Sequence, residues 1–254
     1  PDQPWKGSSG VSEYADFLME TDAIVGQLLE ALDDSQQSEN TVVIFTTDNG
    51  TSPIANFESL AKQGVHLTEN FRGNKADVFE GGHRVPLVVR WPGVTKPNSR
   101  TDEVISLVDL MATLAEITNY ELPDEAAEDS LSLLPLLQGE RLEQPLHDAI
   151  VCHSISGYFA VRQGGENGQW KTLFCRGSGG WSTPGEEQHL PEVQLYDMKN
   201  DPKESVNLHL QHPEIVQQMT ETLKRFVKNG RSTPGTPQPN DQNSVHWNHV
   251  PWEK

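Results

Sequence analysis

The chain has 254 residues, with 19 lysines and arginines against 37 aspartates and glutamates, a formal net charge of −18 at pH 7. A field of that sign repels nucleic-acid phosphates, so no nucleic-acid partner is expected. Twenty glycines and 17 prolines are close to average usage, which describes a folded chain rich in loops and not a low-complexity one.

The opening Pro1-Asp2-Gln3-Pro4-Trp5 is neither an initiating Met nor a signal peptide, and it reads as a cut within a longer protein. From Ser12, a plausible N-cap, to Leu32, apolar residues at Phe17, Ile24, Val25, Leu28, Leu29 and Leu32 recur at helical spacing and make one face. After a polar stretch from Asp33 to Asn40, the run Thr41 to Thr46 is β-branched and aromatic with no alternation, the pattern of a buried, parallel-type strand. A second such run, Pro86 to Trp91, stops at Pro92-Gly93, and a helical pattern follows through Ile105, Val108, Leu110, Met111, Leu114 and Ile117. Helix, strand, loop, strand and helix in that order predict an α/β architecture.

From about Leu146 the texture changes. Ala149 to His153, Tyr158 to Arg162, Trp170 to Arg176 and Val193 to Asp197 are short strand-like segments joined by glycine-rich links, which predicts an antiparallel meander. His212-Pro213-Glu214 opens a helix through Lys228, with Gly230 just past its end. The three predicted units are residues 1–145, residues 146–229 and a proline-containing mobile tail, 230–254. His246, Trp247, His249 and Trp252 in that tail fit no firm ligand spacing. No run approaches the roughly 18 apolar residues of a membrane-spanning helix. Cys152 and Cys175 exclude a disulfide scaffold and a multi-cysteine zinc site, while one bridge between them stays open.

Two segments carry chemistry. Thr46-Thr47-Asp48-Asn49-Gly50 leaves the first strand at its carboxyl end, where ligands bind in open α/β sheets, and its two adjacent hard oxygens suit Ca²⁺ or Mg²⁺. Taken alone, Asn49-Gly50 reads more readily as a tight turn. The segment from Arg72 to Pro86 is crowded with charges and glycines. Lys75 can offer a point charge to an anion or simply be solvated, whereas Arg84 reads as a structural partner of Glu80. His153 and the loop Gly177-Ser178-Gly179-Gly180-Trp181 are candidates to touch a substrate, or equally an ordinary surface histidine and a turn with a packed Trp.

The order of Asp48-Asn49-Gly50, Gly73-x-Lys75, Glu80-Gly81-Gly82-x-Arg84-Val85-Pro86 and Trp91-Pro92-Gly93 resembles the sulfatases of the alkaline-phosphatase-like superfamily. The likeness continues through Ser106 to Leu114, through Gly157 to Arg162 with Trp170-Lys171, and through Leu195-Tyr196-Asp197, Asp201-Pro202, Glu204 and Asn207-Leu208. Tyr14, Asp16, Glu20, Asp22 and Gly26 agree with the family's helix before the metal strand, so the resemblance spans about residues 4 to 228.

The resemblance implies an alkaline-phosphatase-like sandwich, here the later part of the main sheet plus a small C-terminal antiparallel sheet with a helix. It also implies hydrolysis of a sulfate ester, on a sulfated small molecule or carbohydrate, at a divalent cation, usually Ca²⁺. By motif position Asp48 and Asn49 would be metal ligands, Lys75 a catalytic contact to the sulfate oxygens, and His153 a substrate contact. The family's nucleophile is a formylglycine made within a Cys/Ser-x-Pro/Ala-x-Arg motif. Cys152 is followed by His-Ser-Ile-Ser and Cys175 by Arg-Gly-Ser-Gly, so the formylglycine is expected in an N-terminal part outside this sequence, and the chain alone is expected to have no turnover. A phosphoric ester or phosphonate hydrolase of the same superfamily, or a non-catalytic remnant, remains the alternative. A periplasmic or secreted location is the expectation, the residues set no oligomeric state, and a sheet edge left bare should make the isolated chain adhesive.

Overall fold

The computed structural model describes residues 1–69, 71–166, 168–182, 187–240, 250 and 252. The N-terminal portion is built on α1 (Glu13–Asp34), β1 (Val43–Thr46), the short helices α2 (Phe57–Ala61) and α3 (Glu80–His83), β2 (Leu87–Arg90), α4 (Asp109–Ile117) and α5 (Leu134–Leu137). The C-terminal portion contains β3 (Ala149–His153), β4 (Phe159–Gln163), β5 (Trp170–Leu173), β6 (Gln194–Asp197) and α6 (Pro213–Asn229).

α1 starts where the spacing places it. Ser12 is extended, and its hydroxyl accepts the Ala15 amide at 3.1 Å, satisfying one of the first-turn donors. One turn on, buried Asp16 accepts the Gly7 and Ser9 amides at 2.7 and 2.8 Å and the Ser9 hydroxyl, which ties the opening segment to the helix. Those bonds, the Ser9 hydroxyl first, hold the Asp16 carboxyl below its ordinary range. The apolar stripe forms as the spacing predicts, yet Phe17, Ile24 and Leu28 are exposed on it.

The strand at residues 43–46 differs from its expectation in two ways. β1 is neither parallel nor buried. It pairs antiparallel with β2, Thr46 opposite Leu87, and the cross-strand partners Phe45 and Val88 are 37 % and 59 % exposed. An apolar run without alternation reports two apolar faces and says nothing about the direction of the neighbouring strand. Phe45 and Val88 therefore join into one exposed apolar patch on that sheet.

α4 begins at Asp109, four residues after the periodic pattern does, because the Asp109 carboxylate is used outside the helix. It accepts the Ser106 amide at 2.8 Å and the Leu131 amide at 2.9 Å and meets the His147 ring at 2.9 and 3.0 Å. This buried aspartate joins three separate segments.

The C-terminal sheet is the predicted meander, β3-β4-β5-β6, antiparallel throughout. One face packs on α6, with Ala149, Val161, Phe174, Met219, Leu223 and Phe226 in one cluster. The other face packs on the segment before α3, where Val78 and Phe79 join Ala160, Leu173, Tyr196 and Met198. A glycine- and charge-rich loop of the N-terminal portion is thereby a wall of the C-terminal core. α6 has Pro213 in its first turn, and Gly230 closes it in the left-handed conformation.

Residues 231–240, expected as a mobile tail, make defined contacts. Buried Arg231 donates to Asp124 Oδ1 at 3.0 Å and to the carbonyl of Thr236 at 3.0 Å, and Asn240 Nδ2 donates to Val227 O at 2.6 Å. Composition signals proline and polarity there, and the long-range pairing that fixes the segment leaves no local trace. Trp252 packs on the α6 cluster, while His246, Trp247 and His249 lie outside the described residues.

Truncation of Leu223, 1 % exposed in that cluster, is expected to cost about 2–5 kcal/mol in urea unfolding. Leu210→Ala, at a side chain 80 % exposed, should stay within about 0.5 kcal/mol.

Candidate active site

Two turns meet beside the end of β1. Asp48-Asn49-Gly50 follows the strand, and the Gly50 amide donates to the carbonyl of Gly82 at 2.9 Å. One residue further, the carbonyl of Thr51 accepts the Lys75 amide at 2.9 Å. The contact is close enough to require glycine: a Cβ on Gly50 would lie 1.8 Å from the carbonyl oxygen of Gly81, and one on Gly81 would lie 2.4 Å from that of Gly73. The glycines that looked in sequence like permission for tight turns are used for backbone-to-backbone approach.

These bonds place the backbone of Lys75 against the turn that carries Asp48 and Asn49. Asp48 is exposed and Asn49 half-buried; Asn49 Nδ2 donates to the Gly50 carbonyl at 3.0 Å, which leaves its Oδ1 as an acceptor. Among the described residues no group of three or more His, Cys, Asp or Glu side chains could hold a metal ion, so the turn offers one carboxylate and one amide oxygen and no preassembled cage. His153, at the exposed end of β3 with its Nδ1 2.9 Å from the Ser154 carbonyl, shares with Asp48 the lining of a broad groove of about 2050 Å³. Lys75 is not part of that lining. Arg84 pairs with Glu80 at 3.3 Å and stacks over Phe71, the structural arrangement expected of it.

Behind the turns is a buried ionic cluster that sequence reasoning did not assemble. Lys171, 0 % exposed in mid-strand β5, donates to Glu80 Oε1 at 3.0 Å and to Glu204 Oε1 at 2.8 Å. Glu204 Oε2 accepts the Glu80 amide at 2.7 Å, and Arg162 Nη1 lies 3.4 Å from Glu80 Oε2. Arg162, Lys171 and Tyr196 are ladder partners across β4, β5 and β6. Arg72 adds donations to the Glu204 carbonyl at 2.9 Å and to the Tyr196 hydroxyl at 3.2 Å.

Burial acts against every charge here, and the pairings decide the outcome. It would raise Glu80, but Lys171, His83 and Arg162 outweigh it and hold that carboxyl far below its ordinary range. It raises Glu204, which has fewer cations near it. For Lys171 desolvation is overcome by Glu204 and Glu80, so the ammonium stays charged. His83, with 22 % of its side chain exposed, is pushed down to about 4 by burial and then by Lys171. The neutral ring has Nε2 3.0 Å from Lys171 Nζ and Nδ1 3.6 Å from Cys152 Sγ. Burial lifts the Cys152 thiol to about 11, and the cysteines are not bonded to each other. Cys175 Sγ instead donates to the Gly177 carbonyl at 3.6 Å. The legible signal for this cluster was a lysine inside a short strand-like segment, Trp170-Lys171-Thr172-Leu173.

The loop with Trp181 lies against the Lys75 segment: the Val78 amide donates to the Ser178 carbonyl at 3.0 Å, and Ser182 bonds the buried Asp77 carboxylate through its amide at 3.1 Å and through its hydroxyl. Trp181 itself is exposed.

The sulfatase family profile matches residues 2–120. The chain is 32 % identical over 232 residues to an N-acetylgalactosamine-6-O-sulfatase of Bacteroides thetaiotaomicron, covering 88 % of this chain and 43 % of that protein. It is 31 % identical over 272 residues to human steryl-sulfatase, covering 97 % and 44 %. A solved sulfatase structure from work on glycosaminoglycan metabolism in Bacteroides thetaiotaomicron superposes with a TM-score of 0.75 at 32 % identity, covering 89 % of this chain and 46 % of that one. A sulfatase from Pseudoalteromonas sp., at 22 % identity, matches in fold with a TM-score of 0.71. The chain belongs to the sulfatase family, with the α/β, alkaline-phosphatase-like fold, and it spans about half the length of the relatives it matches.

Two outcomes test the site's construction. Gly50→Ala forces the two turns apart and should cost about 1–3 kcal/mol in urea unfolding. Between pH 6.5 and about 4 the unfolded chain protonates His83 while the folded chain does not, so this group's contribution to stability is present above that window and is lost as the pH falls through it. Comparing the wild type with His83→Gln across that range should isolate a slope of up to about 1.4 kcal/mol per pH unit, absent in the variant.

Proposed function

We propose that this chain supplies the cation-facing and anion-facing turns of a sulfuric ester hydrolase acting on a sulfated small molecule or carbohydrate. The observation that supports this most is the pair of backbone bonds, Gly50 to Gly82 and Lys75 to Thr51, that sets the Asp48-Asn49 turn beside Lys75. The names of the relatives, N-acetylgalactosamine-6-O-sulfatase and steryl-sulfatase, accord with a sulfate ester as substrate.

The donor set suits a hard divalent cation such as Ca²⁺, which takes about six to eight oxygens, of which Asp48 and Asn49 offer two. Bound there, the cation would supply Lewis-acid stabilisation of negative charge. Lys75 would set a compact positive charge against the sulfate oxygens as the S–O bond breaks, and His153 would meet the substrate beyond the sulfate, across the groove it shares with Asp48.

Residues 1–145 carry these turns, and 146–229 back them with the second sheet. The chain alone lacks the formylglycine motif, and its described residues hold no full ligand cage, so we take it to be inactive by itself. The apolar faces left open on α1 and β1–β2 suit further elements of such a fold. A periplasmic or secreted site of action goes with this reading; among the described residues no helix is long and apolar enough to cross a membrane.

The purified chain should show no turnover of a chromogenic aryl sulfate, and measurable hydrolysis would refute its inactivity. In an NMR titration, Ca²⁺ should shift the Asp48 and Asn49 amide resonances, and Asp48→Ala should abolish the shift. Lys75→Ala should weaken inorganic sulfate binding about tenfold, roughly 1.4 kcal/mol. Unmoved Asp48 and Asn49 resonances at saturating Ca²⁺ would remove the support for the cation site.

A further inference from the structure

We infer that Lys171 and Glu204, two buried residues of the C-terminal sheet region, are positioning residues for the candidate site: by gripping Glu80 they fix the Gly81-Gly82 backbone on which the Asp48-Asn49-Gly50 turn rests. This assignment rests on the proposed cation-and-anion site for its functional meaning.

The chain of contacts is continuous. Lys171 Nζ, with no exposed surface, bridges Glu80 Oε1 at 3.0 Å and Glu204 Oε1 at 2.8 Å. Glu204 also takes the backbone amide of Glu80 at 2.7 Å, so residue 80 is held by its side chain and by its main chain. The next residue, Gly81, donates its amide to the Arg72 carbonyl at 2.7 Å, which closes the loop containing Lys75. The residue after that, Gly82, offers its carbonyl to the Gly50 amide at 2.9 Å. Arg72 returns to the same anchor through the Glu204 carbonyl at 2.9 Å. Both ends of the segment bearing Lys75 are thus tied to Glu204.

Why a charged device and not an apolar plug? An apolar pair of similar volume would often be as stable, but it could not specify direction. Lys171 shares its three N–H groups among Glu80, Glu204 and the neutral His83 ring at 3.0 Å, and a small displacement of Glu80 leaves buried charge unpaired. Neither residue touches the proposed ligands. Both act through the Glu80–Gly82 backbone.

Backbone hydrogen exchange on the 254-residue chain tests this, with Glu204→Gln as the near-isosteric variant and Lys171→Met as the stronger one. Exchange at the Gly50, Lys75 and Gly81 amides should accelerate at least tenfold in each variant, while the β3–β4 ladder stays within about twofold. A merely structural role would speed both sets in parallel, and that result, or unchanged turn amides, overturns the assignment. Should a variant fail to fold, the wild type decides alone: under native-state exchange in low denaturant the three turn amides should open together with the β5–β6 ladder, and opening with β1–β2 instead refutes the coupling.

A Ca²⁺ titration read at the Asp48 and Asn49 resonances adds the functional arm, in which Glu204→Gln should weaken binding at least fivefold. An undiminished affinity in the variant refutes the positioning role. A wild type that binds no Ca²⁺ refutes the cation site, and the exchange data still decide the positioning.

Discussion

A lysine ammonium with no exposed surface sits between two glutamates, and the placement of everything near the candidate site follows from where its two carboxylates come from. One, Glu80, belongs to the short helix after the Lys75 loop; the other, Glu204, follows the last strand of the C-terminal sheet. Leaving any one of these charges unpaired in a buried setting is costly, typically about 3–5 kcal/mol, so the two portions of the chain are held in one relative placement. Hydrophobic contact of Val78 and Phe79 with the sheet supplies area, but area is non-directional. The ionic cluster supplies the register.

Close backbone approach carries that register to the site. Gly50, Gly81 and their neighbours stack main chain on main chain, so the turn carrying Asp48 and Asn49 has little freedom to move independently of the Lys75 loop. Such rigidity suits recognition of a small anionic group, where misplaced dipoles lose most of their effect. The flexible parts of the problem are left to side chains: Lys75 on its long stem, and Trp181 and His153 at exposed edges.

Much of this was legible in the residues themselves. The N-cap at Ser12, the meander of four short strands, the helix bounded by Pro213 and Gly230, and the Glu80–Arg84 pair are local patterns, and local energetics decide them. The Asp48-Asn49-Gly50 and Gly73-x-Lys75 motifs were legible as a family signature. Strand direction was not, because an unalternating apolar run is compatible with either neighbour. Nor was the ordering of residues 231–240, which depends on Arg231 reaching Asp124, more than a hundred positions away.

What the sequence determined by itself, then, is the identity of the elements and the chemical character of the two turns, since propensity, capping and charge act over a few residues. Only the tertiary structure decided that Lys171, Glu80 and Glu204 share one buried pocket, because Glu80 lies about 90 positions before Lys171 and the cost of an unpaired buried charge is felt only once the sheet has closed over it. It also decided that Lys75 lies against Thr51, since that backbone bond joins residues two dozen positions apart and forms only once the Gly50 and Gly81-Gly82 turns have packed main chain on main chain.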